Sequence, residues 1–407
     1  MGCSMPPCEW MQQIDSWVSE ANSKIGLRAP APLFPESPYR FATNASHVTP
    51  GLIRASSRAS GDPNPLWNDA AYGATSPWGT NIAPPVFEAA LSECGSVPQP
   101  PPVPGMVAMQ GGVLRRYFEP FRPGDVIRSE DIWHGIEEKT RPEKPYRLFI
   151  NQSERVYINQ YDRMVVSARC RIAMIFPKVP GEDVAAALGF AQRARRRFSE
   201  EELEQVRANY RRVLCGDARR GAEPRYWEDV NIGDVVPELL FGPYDMSDAV
   251  TFAGAIGVTS AGALKWREIE PAMALFPRDP ETGAPRHLVD VHFEEWIAQT
   301  RGLRHSMAFG TQLEQIMCQA VSNWMSDSGF ICEADMKIHS ALLFGEISRT
   351  TGRVTGKRRD GDRCLVDLQL ASETWGAVPY CKGNFIVELS SRAGQSPAAR
   401  LLAASEP

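Results

Sequence analysis

The feature that most constrains the fold is an order of segments that occurs twice. In the first half, apolar and polar side chains alternate over residues 114–118, 125–132, 146–152, 156–160 and 164–176. Alternation with a period of two places successive side chains on opposite faces, the pattern of half-buried antiparallel strands. A helical run at 84–91 precedes them. Pro84 and Pro85 stand in its first turn, where a missing N–H costs nothing, and Val86, Phe87, Ala90 and Leu91 fall at helical spacing. The second half repeats the series: a strand at 238–244, a helix at 247–255, a helix at 311–325, then strands at 337–344, 347–357, 362–373 and 379–389. In the 311–325 helix, Leu313, Ile316, Met317, Ala320, Val321 and Trp324 share one face. Such a repeat marks an internal duplication. A sheet of roughly five strands has one face to cover, and one long helix per half covers it, so two α+β units are expected side by side.

The division that follows is a first unit over 39–190 and a second over 225–392, joined by a helical linker at 191–224. Within the linker, Ser199 reads as an N-cap with Glu202 three residues on, a capping box. Residues 1–38 read as a flexible or loosely helical lead-in with a short helix at 9–25 carrying Trp10, Ile14, Trp17 and Val18, and 393–407 as a disordered tail. Residues 258–286, with Pro271, Pro277, Pro280 and Gly283, form an insertion that reads as a lid.

A net charge of −5 gives no footprint for nucleic acid, and the basic run Arg193–Arg197 reads as a solvated helix start, with contact to a phosphorylated ligand as the alternative. No apolar stretch is long enough to span a bilayer, and Pro6 stands where a myristoylation pattern needs Ser or Thr. Nine scattered cysteines without a CxxC pair point to reduced thiols and a cytoplasmic protein.

Two stretches carry chemistry. His287-Leu-Val-Asp290-Val-His292-Phe-Glu294 gathers two imidazoles and two carboxylates, and Phe309-Gly310 follows it at the start of the 311–325 helix. Near the other end lies Asp62-Pro-Asn64-Pro65-Leu-Trp67-Asn-Asp69, followed by Trp78-Gly79. The His-x2-Asp-x-His spacing matches no zinc signature, so neither metal nor cofactor is expected. His287 alone reads as a solvated loop residue, and Asp62 and Asn64 as turn-forming and capping groups.

Together these stretches resemble the MaoC-type double hot-dog acyl dehydratases and (R)-specific enoyl-CoA hydratases, over most of residues 40–390. That family's motif is Asp-x-Asn-Pro-x-His-x-Asp, then a small residue, then a Gly opening the hot-dog helix. The first half matches from Asp62 to Asp69 except that Trp67 holds the His position, and Ile82-Ala-Pro-Pro-Val-Phe resembles the substituted N-terminal halves of the family. In the second half His292, Glu294 and Ala298 keep the spacing of His, acid and small residue, and Phe309-Gly310 stands at the step before the helix. Upstream, His287, Val289 and Asp290 occupy the Asp, Asn and Pro places.

The resemblance implies a double hot-dog fold and a lyase that adds or removes water at the double bond of an enoyl thioester. His292 would be the acid/base, Gly310 N–H the oxyanion donor, and Asp290, Glu294 or Asp62 the orienting carboxylate. His287 and Asn64 are further candidates for the catalytic set, and Trp67, Trp78, Gly79 and Phe309 for substrate contacts. The partner implied is an acyl-CoA or acyl-carrier-protein thioester, and double hot-dogs pair as homodimers. A thioesterase or another lyase on the same fold, or a non-catalytic acyl-thioester-binding subunit, are the alternatives.

Overall fold

The computed structural model describes residues 7–35, 45–179, 181–189, 193–257, 277–376 and 378–404. Period-two alternation produces five strands in each half. The first half has β1 (Arg28–Pro30), β2 (Val107–Tyr117), β3 (Arg128–Glu138), β4 (Tyr146–Ile158) and β5 (Met164–Pro177). The second has β6 (Val235–Phe241), β7 (Phe330–Ile338), β8 (Ser348–Asp360), β9 (Arg363–Thr374) and β10 (Val378–Glu388). All ten join one antiparallel sheet in the order β1-β3-β4-β5-β2-β7-β10-β9-β8-β6. From the central β2–β7 seam outward the two halves run through their strands in the same order, which is the duplication seen in space. The seam is short, pairing Leu114–Arg116 with Glu333–Asp335. Gly112 is required there: its φ is +107°, and a Cβ would stand 2.1 Å from the Met336 carbonyl oxygen.

Two separate strands were expected at 146–152 and 156–160, but β4 runs through. Residues 153–155 fell between the two expected strands. Arg155 is instead buried and neutralised by Asp131, with Nε–Oδ1 at 2.6 Å, so it sits on the inner face without ending the strand.

The helices are α1 (Pro7–Ser23), α2 (Pro50–Ala59), α3 (Glu88–Ser92), α4 (Glu200–Leu214), α5 (Met246–Ile256), α6 (Glu295–Thr300), α7 (Gly310–Met325) and α8 (Pro397–Ala403). The expectation of one long covering helix per half holds only for the second. In the first half Val86 has φ +70°, and α3 has only five residues. Much of that cover comes from α1. Trp10, Ile14, Trp17 and Ala21 form one buried stripe, and the Trp17 ring meets Phe149 and Phe176 edge-on at 6.2 and 5.8 Å. Residues 7–23 are therefore part of the core, not a loose lead-in.

The tail also differs from expectation. Ser396 caps α8, Ala398 and Leu401 are buried, and Arg400 Nη2 holds Glu388 at 2.6 Å. In the linker the Ser199–Glu202 capping box is present on α4. The basic run before it is docked to the second half. Arg193 donates to the Ala341 carbonyl at 2.7 Å and to Ser340 Oγ at 3.0 Å, and it pairs with Glu346. The proposed lid lies largely outside the described residues; what is described, 277–286, closes on itself through an Arg278–Pro285 bridge.

Helix α7 is the axis of the molecule. Every residue from Thr311 to Met325 is buried, including seven polar ones. It is enclosed because the sheet lies on one side and α2 of the first half on another. Gln312 Nε2 donates to the Ala59 carbonyl at 2.8 Å and Gln315 Nε2 to the Ser56 carbonyl at 3.1 Å, so polar residues are tolerated where they bridge the halves. Among the described residues no helix is long and apolar enough to cross a membrane.

Candidate active site

The His292 segment is a 3-10 turn, Leu288–His292, capped by His287, whose Nδ1 accepts the Val289 N–H at 3.1 Å. Buried Val291, Ile297 and Ala298 anchor the turn and α6 against Leu303, Ala341 and Leu343. His287 is thus a buried capping group, not the solvated residue its loop position suggested. Asp290 and Glu294 are gripped by one side chain. Arg286 Nε meets Asp290 Oδ2 at 2.9 Å, and its Nη2 meets Glu294 Oε1 at 3.0 Å. That fork consumes the carboxylates expected to orient His292.

His292 itself hydrogen-bonds the Met307 carbonyl through Nδ1 at 2.9 Å. A carbonyl only accepts, so Nδ1 carries the proton and Nε2 is left as the basic nitrogen. The ring stacks on Phe309, with centroids 3.8 Å apart and planes 22° apart. Burial pushes its pKa down to about 4, and the Met307 carbonyl only partly opposes this. The imidazole is therefore neutral at ordinary pH.

His292 lines a cavity of about 170 Å³ with an apolar wall that includes Ala108, Ile172, Val291, Leu313 and Ile338. At its polar end are Phe309, Gly310 and Thr311, the first turn of α7. Phe309 stands at the N-cap with no side-chain hydrogen bond, so the first N–H groups of α7 are not taken by a cap. Gly310 is needed for approach: a Cβ there would lie 2.5 Å from Gln110 Oε1 and 2.9 Å from Ile338 Cδ1.

Facing this turn is a residue that the motifs did not indicate. Glu93, just after α3 of the first half, lines the same cavity and is hydrogen-bonded to Thr311 Oγ1. Burial pushes its pKa up to about 7; the Thr311 hydrogen bond opposes the rise and nearby Glu314 adds to it. Behind it lies a buried ionic cluster across the seam, Arg115 with Glu88 at 2.5 Å and with Glu314 at 2.8 Å. The only sequence signal for Glu93 was a carboxylate closing an apolar helical run, Ala89-Ala90-Leu91-Ser92, in the half that lacks its histidine.

The Asp62 motif lies elsewhere. Asp62 Oδ2 accepts the Trp67 indole N–H at 2.8 Å and Oδ1 accepts the Asn64 N–H at 3.0 Å, while Asn64 Oδ1 caps Leu66 N–H at 3.0 Å. Burial pushes Asp62 up to about 6 against those bonds. An indole in the imidazole position keeps the hydrogen bond but exchanges no proton, so Asp62, Asn64 and Trp67 form a folded turn. Trp78 is buried and donates to the Asp327 carbonyl at 2.7 Å, and Gly79 is an exposed turn residue with φ +68°. Of the four expected substrate contacts, Phe309 lines the His292 cavity, whereas Trp67, Trp78 and Gly79 are not among its lining residues.

Comparison with known proteins agrees with this architecture. A MaoC-like dehydratase structure superposes with a TM-score of 0.58 at 15% identity, covering 91% of this chain and 100% of its own. A putative MaoC domain protein dehydratase from Chloroflexus aurantiacus gives 0.54 at 12% identity, covering 91% and 96%. A conserved hypothetical protein of Mycobacterium tuberculosis, described as having a double hotdog fold, gives 0.51 at 12%, covering 90% and 96%. The chain has the double hot-dog fold. In addition, residues 38–168 match the family model of the FAS1-like dehydratase domain region. No curated protein sequence matches. The dehydratase match thus falls on the half whose motif has lost its histidine, while the His292 cavity is built by both halves.

Proposed function

We propose that this protein adds water to, or removes it from, an enoyl thioester in the His292 cavity. The observation that carries the reading is the pairing of a neutral imidazole with an uncapped helix N-terminus in one apolar cavity. With Nδ1–H held by Met307, Nε2 accepts a proton from water as the oxygen adds to Cβ. The negative charge that develops on the thioester oxygen is met by Gly310 N–H, which the helix leaves unpaired. The apolar wall accepts the acyl chain. Phe309 keeps the imidazole in plane and covers one of its faces.

In this reading the acyl group arrives on coenzyme A or a carrier protein, and double hot-dogs pair as homodimers. A cytoplasmic setting fits the seven cysteines described as free thiols. The test is a hydration assay with short- and medium-chain trans-2-enoyl-CoA, following loss of the conjugated thioester absorbance and formation of 3-hydroxyacyl-CoA. The wild-type protein is expected to turn over. His292→Ala is expected to lose a factor of about 10² to 10⁴ in kcat.

A further inference from the structure

We infer that Glu93, supplied by the first half, is the second catalytic residue of the His292 cavity and delivers the proton to Cα. This rests on the hydratase reading above.

Among the described residues, His292 has no carboxylate partner of its own. Its Nδ1 is bonded to a backbone carbonyl, and the carboxylates beside it in sequence, Asp290 and Glu294, are both engaged by Arg286. Hydration needs two proton movements, one from water and one to Cα, and a separate acid in the cavity leaves His292 free to perform the first alone. Glu93 lines the same cavity, on residues adjoining Gly310, where the thioester carbonyl and hence Cα would lie.

The buried position of Glu93 beside Glu314 favours its acid form, against one hydrogen bond from Thr311. Thr311 Oγ1 is within hydrogen-bonding distance of a Glu93 carboxyl oxygen and lies 3.3 Å from Gln110 Oε1. A hydroxyl has one hydrogen and cannot serve two acceptors. Gln110 is oriented by its other end, since Nε2 faces Glu314 Oε2 at 3.4 Å. The shorter contact, to Glu93, takes the Thr311 hydrogen, and Gln110 is the weaker neighbour. Behind these residues, Glu314 and Glu88 hold Arg115 between them, and Arg155, which donates to the Glu93 carbonyl at 2.7 Å, is paired with Asp131. Both the deep position of Glu93 and the neighbouring Glu314 disfavour its carboxylate.

The step balances as follows. A water O–H bond breaks, its proton passing to His292 Nε2 and its oxygen bonding to Cβ. The π pair moves toward the thioester, whose oxygen is held by Gly310 N–H, and returns to Cα as it takes the Glu93 carboxyl proton. His292 ends as imidazolium and Glu93 as carboxylate; proton exchange with water resets them. Dehydration runs the same movements backward.

The titrating pair predicts a bell-shaped profile for hydration. His292, pushed down to about 4, must be neutral, and Glu93, pushed up to about 7, must be protonated. The groups that bear on Glu93 are Thr311, Glu314, Arg115 and Arg155, with Cys94 and Cys170 sharing the cavity wall. Those that bear on His292 are the Met307 carbonyl and the Phe309 ring.

The experiment compares wild type, His292→Ala and Glu93→Gln in the trans-2-enoyl-CoA assay across pH, and in deuterated water for label exchange at Cα of the 3-hydroxyacyl product. For Glu93→Gln we expect kcat to fall by about 10² to 10⁴ with KM little changed, the alkaline limb to vanish, and Cα exchange to be lost. If Glu93→Gln does not fold, Glu93→Asp replaces it: a shortened carboxyl should lower kcat and move the alkaline limb. Turnover within a few-fold of wild type with an unmoved limb, in whichever variant folds, overturns the role of Glu93. If that occurs while His292→Ala is inactive, the hydratase reading stands without Glu93. If wild type does not hydrate, or His292→Ala hydrates as wild type does, the reading and this inference both fall.

Discussion

Replacing Gly310 with alanine separates the stability of α7 from the use made of its first turn. The added methyl carbon would stand 2.5 Å from Gln110 Oε1 and 2.9 Å from Ile338 Cδ1. Ordinary contact requires about 3.5 to 4 Å, so Gln110 must retreat by roughly 1 Å and Ile338 by somewhat less. Overpacking of this kind costs about 1 to 3 kcal/mol, and the better helix propensity of alanine returns up to about 1 kcal/mol. The net stability loss is therefore about 0 to 3 kcal/mol, and the protein is expected to stay folded. Catalysis should suffer more. The methyl occupies the approach to the Gly310 N–H and displaces Gln110, which neighbours Thr311. If the thioester oxygen loses this donor, kcat falls by about 10² to 10³. The assay is steady-state hydration of trans-2-enoyl-CoA beside a thermal melt of the same preparation. A Gly310→Ala protein that melts near wild type and turns over within a few-fold of it would refute the oxyanion role of this turn.

Other consequences concern the rest of the chain. Trp67→Phe removes the indole N–H from buried Asp62 and should cost about 1 to 3 kcal/mol in denaturant unfolding while leaving hydration kinetics unchanged. Asp62 has a folded-state pKa raised from 3.8 to about 6, so the folded protein binds this proton more tightly than the unfolded chain. Its contribution is thus most favourable below pH 4 and is lost as pH rises through about 6, by about two units or on the order of 3 kcal/mol. Asp62→Asn should remove that slope, read as the difference between the two stability–pH curves; parallel curves would contradict it. Trp17→Ala should destabilise by about 3 to 5 kcal/mol, because α1 covers the first half of the sheet; a cost well below 1 kcal/mol would show that the helix is only loosely docked.

The duplication was legible because a sheet imposes a period of two and a covering helix a period of 3.6, and both recur in both halves. The capping box at Ser199 was legible for a local reason: it is set by residues within one turn. What sequence reasoning missed depended on tertiary partners. The burial of Arg155 on the inner face of β4 depends on Asp131, which lies on a different strand. The first half reads as having a long helix of its own until Val86 takes a left-handed backbone conformation and α1, readable as a short helix but not as sheet cover, packs on Phe149 and Phe176. In the cavity, His292, Phe309 and Gly310 were readable because they keep the motif's spacing. Their surroundings were not. Arg286 withdraws Asp290 and Glu294 from His292, and the cavity's acid is Glu93, brought in by the other half, which no local spacing encodes.

The most direct test of the account is the product formed from a trans-2-enoyl-CoA by wild type and by His292→Ala, with free thiol measured in the same reaction. The account predicts reversible formation of 3-hydroxyacyl-CoA by wild type, no release of free coenzyme A, and loss of a factor of about 10² to 10⁴ on His292→Ala. Release of free thiol in place of the hydroxyacyl product, or hydration that survives His292→Ala unchanged, would contradict it.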